Sequence, residues 1–176
     1  MRVIGGEFRS RLIKSVPGVD VRPTPDRLRE TLFNVLAPRI VGVVFADLYA
    51  GTGAVGIEAL SRGASQAVFV EHNRAAVGVL RENLKSLGLE ARAEVRQARA
   101  AALIAKIDAD IVFLDPPYEL HGEYETMLTK LAARPPKLAI VQHDIRLKLQ
   151  AAYGTVQQTR VLRQGDNCLT FYQAGS

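Results

Sequence analysis

Apolar positions along the chain recur with two periods. Near the start they alternate: residues 2–5 and 8–13 read as the two short strands of a hairpin, and Val16-Pro17-Gly18 reads as a turn. Leu28, Leu32, Val35 and Leu36 then follow helical spacing. Thr24-Pro25-Asp26 marks the start of that helix, with Thr24 as the expected N-cap, Pro25 at the first helical position and Asp26 on the positive end of the dipole. Pro38 lies just past its end.

From Val41 onward, strands alternate with helices. Residues 43–48 form a buried strand, and residues 54–62 a helix closed by Gly63. Residues 67–71 form a second strand. Asn73 caps a helix whose Val77, Leu80, Leu84 and Leu87 make one apolar stripe, closed by Gly88. A weaker strand (91–96), a short helix (99–106), an apolar strand bounded by acids (110–115), a helix (124–132), a strand (138–142) and a helix (145–152) follow. Two strands end the chain, 155–162 and 168–173, joined by Gln164-Gly165-Asp166-Asn167. This alternation predicts an α/β fold, a mainly parallel sheet with helices on both faces; the last pair, lacking an intervening helix, requires one antiparallel strand. A length of 176 residues fits one domain, 1–176.

Composition changes this picture little, and charge changes it more. The chain is 48% hydrophobic and 23% charged, an ordinary globular composition. No stretch approaches the ~18 apolar residues of a membrane span and the N-terminus lacks a signal-peptide apolar run, so neither membrane insertion nor secretion is expected. The single cysteine, Cys168, suits a reducing cytoplasm, and His72, His121 and His143 have no partners at metal-ligand spacing, so no metal is expected. Residues 1–39 hold eight Lys/Arg and four acids, and so carry +4 of the total net charge of +5. A basic extension on a near-neutral body (40–176) is either a polyanion-docking element or a solubilising surface.

Three constellations carry chemistry. The first, Asp47-Leu48-Tyr49-Ala50-Gly51-Thr52-Gly53-Ala54-Val55-Gly56, follows a strand and opens a helix. Gly51 and Gly53 permit a tight turn against a ligand, and Gly56 permits close helix–strand packing. Asp47 would repel a pyrophosphate but suits the cationic amino-acid part of S-adenosylmethionine. The second is Glu71, 20 residues beyond Gly51, whose carboxylate is placed to accept hydrogen bonds from ribose hydroxyls; the other reading is an acid capping the Asn73 helix. His72 is placed to flank the adenine. The third is Asp115-Pro116-Pro117-Tyr118 at the end of the fourth strand. An exocyclic amine on a base is a poor nucleophile because its lone pair is delocalised. Asp115 and the Pro116 carbonyl can each accept one N–H and so aim the lone pair at a methyl group. The two prolines preorganise these acceptors, and Tyr118 offers a face for a splayed-out base.

On these residues the chain resembles a class I methyltransferase, and more closely the bacterial 16S ribosomal RNA guanine-N2 methyltransferases of the RsmD type. The opening stretch from Arg2 to Leu12 looks like that family's first hairpin. The segment Arg22-Pro23-Thr24-Pro25-Asp26-Arg27-Leu28-Arg29-Glu30-Thr31-Leu32-Phe33-Asn34 is similar to its signature, and Asp47 to Gly56, Gly63-Ala64, Asp115 to Tyr118 and Arg163-Gln164-Gly165-Asp166 match its core motifs. The resemblance implies a Rossmann-like sheet of seven strands in the order 3-2-1-4-5-7-6 with strand 7 antiparallel. It implies S-adenosyl-L-methionine held by Asp47, Tyr49, Gly51, Gly53, Glu71, His72 and Ala98. It also implies methylation of a guanine N2 amine in 16S RNA of an assembling small subunit, with Arg2, Arg9, Arg11, Arg22 and Arg27 as RNA-docking cations. At Arg96-Gln97-Ala98-Arg99 the chain departs from the family, which places an acid or Asn before an Ala. Ala98 takes the acid's position, which implies intact but weaker cofactor binding, through the Ala98 backbone or Gln97. Two other readings remain: a DNA adenine-N6 methyltransferase, which shares the Asp-Pro-Pro-Tyr motif, and a non-catalytic RNA-binding or assembly module on the same fold.

Overall fold

The computed structural model describes residues 1–18, 24–117 and 119–175; of the residues singled out above, Arg22, Pro23 and Tyr118 lie outside these. In chain order the elements are α1 (Asp26–Leu36), β1 (Val44–Asp47), α2 (Ala54–Ser61), β2 (Gln66–Glu71), α3 (Arg74–Ser86), β3 (Ala93–Gln97), α4 (Ala100–Leu103), β4 (Ile111–Leu114), α5 (His121–Ala132), β5 (Leu138–Asp144), β6 (Ala152–Tyr153), β7 (Val156–Gln164) and β8 (Asn167–Ala174).

The strands form one sheet in the order β3-β2-β1-β4-β5-β8-β7-β6. The first five are parallel, and β8 runs antiparallel between β5 and β7. The expected order is kept: β7 and β8 are its strands 6 and 7, and the two-residue β6 adds an eighth strand at the edge. Side chains alternate across the pleat. Phe45, Phe69, Phe113, Ile140 and Phe171 face the apolar sides of α1, α2 and α3. Ala46, Val68, Val112, Ala139 and Tyr172 face α4 and α5. Central β4 is buried along its whole length, as a strand covered on both faces must be.

Three local expectations fail for identifiable reasons. Residues 145–152 do not form a helix. The Asp144 carboxylate accepts the Arg146 N–H at 2.8 Å and the Arg146 guanidinium at 2.8 and 3.0 Å, and the Ile145 N–H donates to the Asp166 carbonyl at 2.8 Å. This turn competes with a helical start. Beyond it Leu147 and Leu149 point inward and Lys148 and Gln150 outward, a period of two. Thr24 is not the N-cap of α1. Pro25 holds that position without a side-chain cap, and the buried Thr24 hydroxyl instead donates to Gln142 Oε1 at 3.3 Å. The N-terminal hairpin shrinks to one bridge, Arg2↔Leu12, flanked by backbone bonds from Val3 N–H to Arg11 O (2.9 Å) and Ile13 N–H to Met1 O (2.8 Å).

What holds this short hairpin is tertiary. The carboxylate of Glu58, fully buried on α2, accepts the Ile4 and Gly5 N–H groups at 2.8 and 2.9 Å and the Arg62 guanidinium at 2.9 Å. Arg29 of α1, also fully buried, lies 3.9 Å from it and donates to the Arg2 carbonyl at 2.7 Å. Burial pushes the Arg29 guanidinium below its ordinary pKa, opposed by the Glu58 and Asp26 charges. One of the eight cations of the basic extension is therefore a core residue.

Candidate active site

The carboxyl ends of β1, β2, β4 and β5 open into a cleft of about 500 Å³, within the ordinary range for a small-molecule site. Asp47, Tyr49, Gly51, Glu71, His72, Asp115, Pro116 and Pro117 line it, together with Gln142 and Glu119. One wall comes from the N-terminal segment through Met1, Ser15, Val16 and Thr24. Residues distant in sequence thus meet because β1 lies between β2 and β4.

The glycine loop divides its labour. Gly51 (φ +57°) lines the cleft, where a Cβ would meet only open space. Gly53 (φ +96°) caps α2, and a Cβ there would run into Leu80, so this glycine packs against the core. Gly56 lies against the Phe69 ring with no space for a Cβ, the close helix–strand approach expected of it. Asn83 steadies the loop from α3: its amide nitrogen donates to the Thr52 carbonyl at 2.9 Å and to the Lys14 carbonyl at 3.1 Å, while its oxygen accepts the Lys14 N–H at 2.9 Å. The signal in the sequence was a polar residue on the apolar stripe of Leu80 and Leu84.

Glu71 meets the Asn73 end of α3, one of its two sequence readings, and also braces the glycine loop. Its Oε1 accepts the Gly51 N–H at 3.0 Å, and its Oε2 accepts the Asn73 N–H at 2.8 Å beside the half-exposed His72 ring. A carboxylate oxygen can accept a second hydrogen bond, and Glu71 lines the cleft. Ala98 donates its N–H to the Glu71 carbonyl at 3.1 Å. Tyr49 donates to Glu123 of α5 at 2.7 Å, tying the glycine loop to the helix that follows the Asp115 loop; burial, and then this bond, raises the Tyr49 pKa.

Asp115 is half-buried and Pro116 buried, one strand away from Asp47. The Pro116 carbonyl accepts the hydroxyl of buried Tyr124 at 3.3 Å, a contact the sequence did not disclose. That bond fixes the direction of the carbonyl and leaves its other lone pair. Arg2, Arg9, Arg11 and Arg27 are exposed. Arg2 and Arg11 donate to the Ser10 and Ser86 carbonyls at 2.7 and 3.1 Å. Among the described residues, no three His, Cys, Asp or Glu side chains group as a metal site, and no helix is long and apolar enough to cross a membrane.

The family model described as Conserved hypothetical protein 95 matches residues 1–173. This chain belongs to that family. The putative rRNA methyltransferase YlbH of Bacillus subtilis is 34% identical over 182 residues, 98% of each chain. Ribosomal RNA small subunit methyltransferase D of Escherichia coli is 43% identical over 120 residues, 67% of this chain and 60% of that protein. The solved structure of Escherichia coli yhhF superposes with a TM-score of 0.86 at 35% identity, covering 99% of this chain and 97% of that one. Membership agrees with the RsmD-type resemblance read from the motifs, and the fold is that of the class I methyltransferases.

The cleft passes a test for the cofactor that the fold implies. Asp47 is 1% exposed, and its Oδ2 accepts the Gly56 N–H at 3.1 Å. Its Oδ1 has no hydrogen-bond partner among the described residues, which is costly for a buried carboxylate unless a ligand supplies one. Burial raises the Asp47 pKa to about 7, the Glu71 charge adding to the rise and the Gly56 N–H opposing it. An ammonium, such as that of S-adenosylmethionine, would fill the vacancy and favour the ionised form. The sign follows. Below pH 7 the ligand-free Asp47 is protonated and a cation must displace that proton; above it the carboxylate is ready. Cofactor affinity is therefore expected to tighten about eightfold from pH 6 to pH 7.5 by calorimetry. Asp47→Asn is expected to flatten the profile, and a pH-independent wild type would overturn the assignment. In the ligand-free protein the same raised pKa makes this group's contribution to folding stability fall as pH rises through 7.

Proposed function

We propose that this protein is an S-adenosylmethionine-dependent methyltransferase acting on the N2 amine of a guanine in 16S ribosomal RNA. The observation that carries the reading is the shared cleft: the unsatisfied carboxylate oxygen of Asp47 and the Asp115-Pro116 acceptors lie on neighbouring strands around one cavity. The name of the Escherichia coli relative, ribosomal RNA small subunit methyltransferase D, supports the RNA substrate.

The cofactor supplies an electrophilic methyl group already activated on sulfonium sulfur. Asp47 holds the ammonium end and Glu71 takes the ribose hydroxyls while bracing the Gly51 loop. Asp115 and the Pro116 carbonyl accept the two N–H bonds of the substrate amine and orient its lone pair. Tyr124, donating to the same carbonyl, keeps that acceptor from turning. Tyr118 stacks on the flipped base. Arg2, Arg9, Arg11, Arg22 and Arg27 of the basic extension dock the phosphate backbone. In this reading residues 1–176 are one domain, with 1–39 as its docking extension and 40–176 as its core. The protein works in the cytoplasm on assembling small subunits.

The test is radiolabelled cofactor with naked small-subunit RNA, immature subunits and DNA, followed by mapping of the labelled nucleotide. Label on a guanine N2 of the RNA is expected; label on DNA adenine, or none on any substrate, would overturn the proposal. The family's usual acid supplies a second test. Ala98→Asp is expected to tighten cofactor binding severalfold in calorimetry, and an equal or weaker affinity would remove position 98 from the adenine site.

A further inference from the structure

The C-terminal edge of the sheet carries a polar side chain that neither the glycine loop nor the Asp115 motif accounts for. Gln142 on β5 is 3% exposed, yet lines the cleft. The parallel register of β4 and β5 ends at Leu114↔Val141, so Asp115 and Gln142 each stand one residue beyond it, side by side across the two strands. Residues in parallel register project to the same face of a sheet. Gln142 Oε1 accepts the Thr24 hydroxyl at 3.3 Å, and Nε2 has no hydrogen-bond partner among the described residues. Thr24 is itself 7% exposed and sits where the chain enters α1, so the anchor belongs to the core. A buried amide thus turns its donor end toward the cleft next to a carboxylate.

Resting on the guanine reading above, we propose that Gln142 is the residue that reads O6 of the target base, with Thr24 as its positioning residue. A flipped base is recognised through its Watson–Crick edge. On guanine that edge runs N2–H and N1–H, two donors, and then the O6 acceptor. Asp115, an acceptor with two oxygens, followed one strand further by an amide donor, is the complement in that order. Neighbouring strands are about 4.8 Å apart, which suits an acceptor two positions along the edge from the amine. Adenine puts its N1 acceptor directly beside its amine, one position away, and lacks the second donor. Thr24, held by Gln142, also brings the N-terminal wall against the recognition end of the cleft.

The experiment pairs protein variants with an altered base. The full chain methylates a synthetic RNA containing the mapped guanine, or the same RNA with 2-aminopurine there, which keeps the amine but has hydrogen in place of O6 and an unprotonated N1, so each variant is compared with wild type on the same base. Wild type is read first; if it labels no guanine, the function proposed above fails and this inference with it. Given guanine labelling, Gln142→Ala is expected to lose about tenfold in kcat/KM on guanine and nothing on 2-aminopurine, because the contact it removes is already missing there. Cofactor affinity should stay within about twofold, since Gln142 on β5 is separated from Asp47 on β1 by β4. An equal loss on both RNAs would mean that Gln142 only supports the fold, and would overturn the proposal. Gln142→Glu keeps the shape and replaces the donor with an acceptor. It should show the same base-dependent loss, so the comparison stands even where the alanine variant does not fold. Thr24→Val should weaken discrimination between the two bases; unchanged discrimination would remove Thr24 from the pair.

Discussion

Asp115→Ala is expected to lower methyl transfer about 100- to 1000-fold while leaving RNA affinity within about twofold. The lone pair of the substrate amine is drawn into the base and must be freed by two acceptors held in place. Asp115 follows a fully buried strand and precedes two prolines, and the next acceptor, the Pro116 carbonyl, is pinned by the Tyr124 hydroxyl at 3.3 Å. Removing the carboxylate leaves the other acceptor pinned by Tyr124, and the loss should fall on kcat. Asp115→Asn keeps the shape and one acceptor oxygen but not the charge, and should lie between the two. Single-turnover rates with labelled cofactor, beside filter-binding of RNA, check both. Rates within about threefold of wild type for Asp115→Ala would show that the amine is oriented elsewhere.

Glu58→Ala is expected to destabilise the protein by about 3–5 kcal/mol, the usual effect of removing one partner from a buried charged network. Glu58 accepts the Ile4 and Gly5 N–H groups of the hairpin and the Arg62 guanidinium at the end of α2, and its charge lies 3.9 Å from Arg29 of α1. Without it Arg29, whose Nε already lacks a hydrogen-bond partner among the described residues, is a buried cation with only Asp26 at 3.1 Å to balance it. Urea unfolding measures the effect. Glu58→Gln should cost less, because it can still accept one hairpin N–H, while turning a donor toward Arg62. A loss below about 1 kcal/mol for Glu58→Ala would mean that apolar packing around Val3 and Ile13 anchors the hairpin instead. Because Met1 and Ser15 wall the cleft, the alanine variant should also bind cofactor less tightly.

Much of this was legible in the chain. The alternation of strand and helix patterns sets the α/β class, since a period of two or of 3.6 is a local property of the sequence. Even the sheet order followed once the motifs matched a family. Asn73 was readable as a cap because capping is local too, and its side chain accepts the Ala76 N–H at 3.0 Å. Residues 145–152 misled for the complementary reason. Their apolar positions fit a helix, but the Asp144–Arg146 turn and the carbonyl of Asp166, 21 residues further on, fix an extended path. Thr24 misled likewise, because its hydroxyl found Gln142 on a distant strand instead of the N-terminus of α1.

The sequence by itself determined the chemistry on offer: a carboxylate before a glycine turn at Asp47, an acid at the next strand end in Glu71, and an acceptor pair stiffened by prolines at Asp115-Pro116. Each is a short run whose residue types suffice to state what it can bind. Only the tertiary structure decided which polar groups are spent on the fold and which remain for a ligand. It buried Arg29 and Glu58 against each other, turned Gly53 into the core, used the Ala98 N–H for strand pairing, left Asp47 Oδ1 unsatisfied, and set Gln142 beside Asp115. The physical reason is that burial and hydrogen-bond partnership belong to pairs of residues brought together by sheet order, and no window of contiguous sequence contains both members of such a pair.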